Sequence, residues 1–262
     1  MFNSELIDTL ARELIKAEDT CVTIERFSEK YPEITIEDSY KIQNRVIELK
    51  LERGEKIIGK KIGLTSKGIR EQIGVFEPDY GVLTDKGLIY GKEELDLSTM
   101  IEPKIEAEIV FILKEDLKGP IVTPWDVISA TQGIMPALEI VDTRFNSWNF
   151  KIYDTIADSA SYARIVVGDK MTKIDDIDLS VIGMATYKNG ELINTASSAA
   201  VMGNPINAVV WLANKMIQFG NYLKKGEVIL SGSLTPVFPI NNGDYINVVF
   251  DRIGSVTLKA KK

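Results

Sequence analysis

None of the 262 residues is a histidine. That absence excludes Ser-His-Asp and Cys-His nucleophilic catalysis, two-histidine metal sites and the commonest general base in one step. Cysteine is nearly missing too. Cys21 stands alone, which excludes an internal disulfide framework and makes a cytoplasmic location the default expectation. Basic clusters are absent: 31 Lys and Arg face 38 Asp and Glu, a formal net charge of −7, so nucleic acid and anionic membrane surfaces are excluded as expected partners. No apolar run is long enough to span a bilayer. The opening Met1-Phe2-Asn3-Ser4-Glu5 reaches Asp8 and Glu13 before any long apolar stretch, unlike a signal peptide. Chemistry is left to carboxylates, lysines, hydroxyls or a bound metal.

What remains is an ordinary globular composition, 45% hydrophobic and 26% charged. Ser4 is placed to cap a helix with Leu6, Ile7, Leu10, Leu14 and Ile15 on one face. Thr35 and Asp38 have capping-box spacing, and Ile36, Tyr40, Val46 and Ile47 follow at helical intervals until Gly54. Beyond Lys56 the pattern reads as strands broken by turns. Asn189-Gly190, between Met184-Ala185-Thr186-Tyr187 and Leu192-Ile193, predicts a two-residue hairpin. Asn204-Pro205 predicts a helix start, with Val209, Leu212, Ala213 and Met216 on its buried face before Gly220. Val228-Ile229-Leu230, Ile246–Phe250 and Val256-Thr257-Leu258 read as closing strands. The expectation is an α+β protein: a mainly helical region over 1–70 and a β-rich catalytic region over 71–262, forming one cooperative unit.

In Ile105-Glu106-Ala107-Glu108-Ile109-Val110-Phe111, alternation puts Glu106 and Glu108 on one strand face. Their Cα atoms would lie roughly 6.5–7 Å apart, close enough for both side chains to meet one ion. Glu139 interrupts the apolar stretch Met135–Val141, which draws it toward the interior. Burying several carboxylates together is costly unless they are protonated, paired or coordinated, and a divalent cation meets that need without histidine. An all-oxygen shell selects a hard ion, Mg²⁺ or Mn²⁺ over zinc. On pattern alone, Glu106 and Glu108 fit the solvated face of an amphipathic strand equally well.

The blocks Gly59–Lys67, Pro78-Asp79-Tyr80-Gly81, Pro103–Ile109, Glu139–Asp142, Asp154–Ser161 and Leu230–Leu234 occur in the order found in one family. In them the chain resembles the 2-keto-4-pentenoate hydratase and 4-oxalocrotonate decarboxylase family. That resemblance implies a fumarylacetoacetate hydrolase-like distorted β-roll with Glu106, Glu108 and Glu139 binding Mg²⁺ or Mn²⁺. It also implies chelation of the metal by a substrate's carboxylate and 2-oxo oxygen. The implied reaction is hydration of 2-hydroxypenta-2,4-dienoate to 4-hydroxy-2-oxopentanoate, in meta-cleavage degradation of aromatic compounds. Asp79, Lys61 and Ser161 would move or hold protons, and Lys61, Leu64, Ser161 and Ser231 would contact substrate. Each has a plainer competitor: Lys61 a surface charge, Asp79 a turn residue after Pro78, Ser161 and Ser231 backbone partners. Trp148 and Phe150 are expected in the core or a subunit interface. The Asp79 block, Lys60-Lys61 and Ser231-Gly232-Ser233-Leu234 favour the hydratase branch, with 4-oxalocrotonate decarboxylase the alternative. A carbon–carbon hydrolase, and a non-catalytic member that only binds an oxo acid or a partner enzyme, are further alternatives. The resemblance further implies a homo-oligomer, pentamer or decamer, working beside a downstream aldolase.

Overall fold

The computed structural model describes residues 1–90, 94–175 and 177–262, the side chains of residues 69, 72 and 73 excepted. Helices α1 (Ser4–Thr20), α2 (Phe27–Lys30) and α3 (Ile36–Glu52) open the chain. Asn3 caps α1 in place of the expected Ser4, its Oδ1 accepting the Leu6 N–H at 2.8 Å. The capping box at Thr35 and Asp38 forms in both directions, and Gly54 follows α3 at φ +89°, where a side chain would be strained. Ile7, Leu10 and Leu14 of α1 bury against Ile42, Val46 and Leu49 of α3. Phe27 meets Phe145 edge-on in the same cluster, ring centroids 5.1 Å apart.

Strand β1 (Ile57–Gly63) follows, but three short helices interrupt the strand-like stretch: α4 (Lys67–Ile73), α5 (Pro124–Ala130) and α6 (Ile152–Ala157). A turn or two of helix is too short to show apolar periodicity, although α5 carries a capping box from Thr123 and Asp126 around Pro124. The expected boundary at residue 70 falls inside α4, and β1 on its N-terminal side already belongs to the main sheet.

Among the described residues that sheet has eight strands. In order across it run β2 (Asp79–Thr84), β1, β10 (Val228–Leu230), β5 (Lys104–Leu113), β6 (Thr131–Val141), β7 (Tyr162–Val167) and β3 (Leu88–Ile89), with β11 (Phe238–Pro239) also on β5. A second sheet runs β4 (Leu95–Asp96), β13 (Gly254–Lys261), β12 (Tyr245–Phe250), β8 (Gly183–Lys188) and β9 (Glu191–Ser197). Asn189 and Gly190 join β8 to β9 at φ +55° and +86°, the type I′ geometry that suits twisted strands. Asn204 caps α7 (Pro205–Gln218), whose Val209, Leu212, Ala213 and Met216 enter the main core. Ile105, Ala107, Ile109 and Phe111 of β5 face that same core, so its other face is turned to the site.

One buried ion pair fixes the edge of that site. Arg144 and Asp158 pair where β6 ends and α6 ends, and Arg144 also donates to the carbonyls of Asp142 (2.6 Å), Tyr162 (3.0 Å) and Asp158 (2.6 Å). Burial pushes the Asp158 carboxyl up to about 6, against the pull of Arg144. Directly after Asp158, Ser159, Ala160 and Ser161 take three consecutive left-handed conformations, φ +52°, +51° and +58°. Non-glycine residues pay for such backbone unless their surroundings impose it. Asp158→Asn leaves the Arg144 charge buried and uncompensated, so a loss of about 3–5 kcal/mol is expected in urea denaturation. An unchanged midpoint would show that the pair does not hold this turn.

Candidate metal centre and substrate cavity

Register in the main sheet brings the carboxylates together. Glu106 of β5 lies directly opposite Glu139 of β6, and Glu108 opposite Ala137, so the third carboxylate sits one rung along on the same face. Ligand oxygens of the three lie within 4.8 Å of one another. Glu108 and Glu139 are wholly buried, and the Glu106 side chain keeps 17% exposure. None of the three lies on an open, solvated strand face.

Lys61 is the one cation placed against this group among the described residues. Its Nζ lies 3.1 Å from Glu139 and 4.0 Å from Glu106, and it donates to the Ala160 carbonyl at 3.0 Å. The left-handed turn is what presents that carbonyl. Gly81 is required beside it, because a Cβ there would overlap the Ser159 carbonyl. One lysine cannot balance three carboxylates. Glu108 receives one further donor, the Gly232 N–H at 2.7 Å, while Glu139 Oε1 has the Lys61 ammonium beside it and Glu108 Oε1 and Glu139 Oε2 have no hydrogen-bond partner among the described residues. Gly232 can approach because its φ of +112° and missing Cβ avoid the Thr65 side chain. Orphaned, converging, buried carboxylate oxygens fit a hard divalent cation, and no thiolate or imidazole competes for it.

Electrostatics follow from this enclosure. Burial raises all three glutamates above the usual carboxylate range, Glu139 to about 8, with Lys61 opposing the shift. Burial alone would discharge Lys61, but Glu139, Glu106, Glu108 and Asp79 outweigh it and hold the ammonium charged. Asp79, at the start of β2, is also buried and raised, with Lys61 again opposing. Its two oxygens lack partners, the nearby Thr155 hydroxyl being committed to the Ile152 carbonyl. Gly63 lets it fit: a Cβ there would overlap Asp79 Oδ1.

A cavity of about 550 Å³ opens onto this floor. Lys61, Leu64, Asp79, Glu106 and Ser161 line it, and Leu64 does so at φ +56°. Ser231 does not line it. Fully buried, it passes its backbone N–H to the Ile109 carbonyl, and Ser233 and Thr235 stand at the wall instead. Trp148 and Phe150 were expected in a core or interface, yet both line the cavity, carried on the segment between β6 and α6. Lys104, one rung outward from Glu106, joins them. No local pattern marks these positions, since each reaches the cavity through tertiary placement alone.

The family model of fumarylacetoacetate (FAA) hydrolase, C-terminal, matches residues 77–260. The chain belongs to the fumarylacetoacetate hydrolase family. It shares 40% identity with the 2-hydroxyhexa-2,4-dienoate hydratase of Comamonas testosteroni over 99% of both chains. With the 2-hydroxypent-2,4-dienoate hydratase of Pseudomonas putida it shares 43% over 82% of this chain and 97% of that one. The 4-oxalocrotonate decarboxylase of Pseudomonas putida G7, solved with magnesium and adipate, superposes at a TM-score of 0.96, with 35% identity and 99% of both chains covered. Within the family the chain therefore falls in the hydratase and decarboxylase group, and its fold is α+β with a curled mixed sheet.

Because burial raises these carboxyls, a metal ion must displace protons. Without metal, their contribution to stability is greatest at low pH and is lost as pH rises from the ordinary carboxylate value of 4.5 toward about 8. The rise in Tm produced by Mn²⁺ is therefore expected to grow across that window. Calorimetry should show proton release on binding, and Glu108→Gln should weaken Mn²⁺ by about 100-fold or more, beyond the effect of losing an outer partner. A pH-independent Mn²⁺ affinity would contradict this electrostatic picture.

Proposed function

We propose that the protein is a hydratase, dependent on Mg²⁺ or Mn²⁺, that converts 2-hydroxypenta-2,4-dienoate and water to 4-hydroxy-2-oxopentanoate. The observation that carries this reading is the grouping of Glu106, Glu108 and Glu139 against Lys61, with Glu106 and Lys61 sharing the lining of one cavity with Asp79. Similarity to two dienoate hydratases supports the reaction. The three glutamates would hold the cation, which supplies Lewis-acid stabilisation to charge developing on the 2-oxo oxygen when bound. Mg²⁺ and Mn²⁺ suit the all-oxygen donor set.

The chain's own groups then divide the work. Lys61, held charged by its carboxylates, pairs with the substrate carboxylate and fixes the acid end. Asp79, shifted toward its protonated form, donates to the terminal carbon as the dienol becomes a 2-oxo-3-enoate. It then accepts a proton from the water whose oxygen bonds to the fourth carbon. The third carbon takes up, through solvent, the equivalent of the proton that the 2-hydroxyl released on ketonisation, so that one water is added and Asp79 ends protonated as it began. Ser161, anchored by the strained turn, hydrogen-bonds the substrate as these charges move. Leu64 bounds the carbon chain.

A decarboxylase reading is favoured by one observation, the close superposition on the 4-oxalocrotonate decarboxylase. It would use a cation held by the same carboxylates to draw electrons into the 2-oxo group, and need no activated water. The same proposal makes the protein a cytoplasmic homo-oligomer, pentameric or decameric, that passes product to an aldolase. Half-buried Ile58, Leu88, Ile112, Met135, Val167 and Val228 support a covered face on the main sheet.

Turnover of 2-hydroxypenta-2,4-dienoate is expected to stop in EDTA and return with Mg²⁺ or Mn²⁺. Asp79→Asn should lower kcat by about 10²–10⁴-fold, the usual contribution of a general acid–base group, with Mn²⁺ affinity retained. Mass analysis of products decides the branch: gain of water supports hydration, and loss of carbon dioxide from 2-oxohex-3-enedioate supports the alternative. Full activity in chelator would sink both.

A further inference from the structure

The far end of the cavity differs in character from its floor. Along the site face of β5 the order is Glu108, Glu106, Lys104, and Lys104 pairs with Val141 across β6 one rung outside the Glu106–Glu139 rung. A substrate whose acid end lies on the carboxylates and Lys61 has room to extend past that outer rung. There Trp148, Phe150, Pro236 and Val237 line the space. Trp148 and Phe150 stand with ring centroids 5.8 Å apart, and Val237 adjoins β11, which pairs with β5 at Lys104 and Ile105.

Lys104 places a charge here, but the charge is already engaged. Its Nζ sits 3.8 Å from the centre of the Trp148 ring and 3.9 Å from Glu102. A lysine ammonium on an indole face is held by the ring quadrupole, so it serves to fix the ring. Lys151, the other cation at this end, is exposed at the rim. The volume, about 550 Å³, leaves room beyond a five-carbon acid.

We propose that Trp148 and Phe150 form a specificity wall for an uncharged, apolar group on the substrate's distal carbon, and that Lys104 is the positioning residue that holds the wall in place. This rests on the functional reading above for the orientation of the substrate, whose acid end marks the floor. The ligand class is a 2-oxo or 2-hydroxy-dienoic acid with a short alkyl tail, in preference to a second carboxylate.

The test is binding, independent of turnover: calorimetry of 2-oxopentanoate, 2-oxohexanoate, 2-oxoheptanoate and the diacid 2-oxoadipate to the Mg²⁺-loaded protein. Affinity is expected to rise about four-fold per methylene, the equivalent of the roughly 0.8 kcal/mol gained by burying each CH₂. The diacid should bind more weakly than 2-oxohexanoate. Phe150→Ala and Lys104→Met should each bring the methylene ratio toward one, an effect that a general loss of structure, weakening all ligands alike, would not produce. A flat series, preference for the diacid, absence of binding, or a Lys104→Met protein with an unchanged ratio would overturn the proposal. If the series holds while the dienoates are neither hydrated nor decarboxylated, the wall stands and the functional reading falls.

Discussion

Confinement of three glutamates within one sheet interior is the constraint around which the rest of the structure is arranged. Like charges at this separation repel, and burial removes the water that would screen them. Among the described residues one lysine lies against them, and one backbone N–H adds to it. Glu108 Oε1 and Glu139 Oε2 have no hydrogen-bond partner among the described residues, so the arrangement is stable only with a further cation or with protons bound. That unmet demand is the property the chemistry draws upon.

Much of the surrounding backbone exists to permit this enclosure. Gly63 and Gly81 leave space where side chains would collide with Asp79 and with the turn behind Lys61. Gly232 brings its N–H to Glu108 from a conformation that disfavours other residues. The left-handed run at Ser159, Ala160 and Ser161 aims a carbonyl at Lys61 and is pinned by Arg144 and Asp158. Two buried charge systems thus cooperate: the saturated one holds the scaffold, and the unsaturated one faces the cavity.

Local signals were readable wherever the physics is local. Alternation in β5, the Thr35–Asp38 capping box, the Asn189-Gly190 turn and the Asn204-Pro205 helix start each depend on a few consecutive residues. Nonlocal placement was not. Nothing near Glu139 encodes its register against Glu106, and on pattern alone the pair Glu106 and Glu108 could have faced water. Family resemblance supplied that link. It did not separate Ser231, buried behind the wall, from Ser233 on it, nor reveal that the segment after β6 turns Trp148 and Phe150 inward. The short helices α4 to α6 escaped because each is brief, and Asn3 displaced Ser4 as a cap by a shift of one residue, within the usual uncertainty of helix ends.

Function follows from the contrast between a charged floor and an apolar far end. On the proposed reading the floor orders an acid group and stabilises charge beside it, whereas the wall selects what the rest of the molecule can be. The most direct measurement is anomalous diffraction from crystals soaked in Mn²⁺. One strong peak is expected at about 2.0–2.3 Å from oxygens of Glu106, Glu108 and Glu139, the range of hard divalent ions with oxygen ligands. A peak elsewhere, or none between these three side chains at saturating Mn²⁺, would contradict the account.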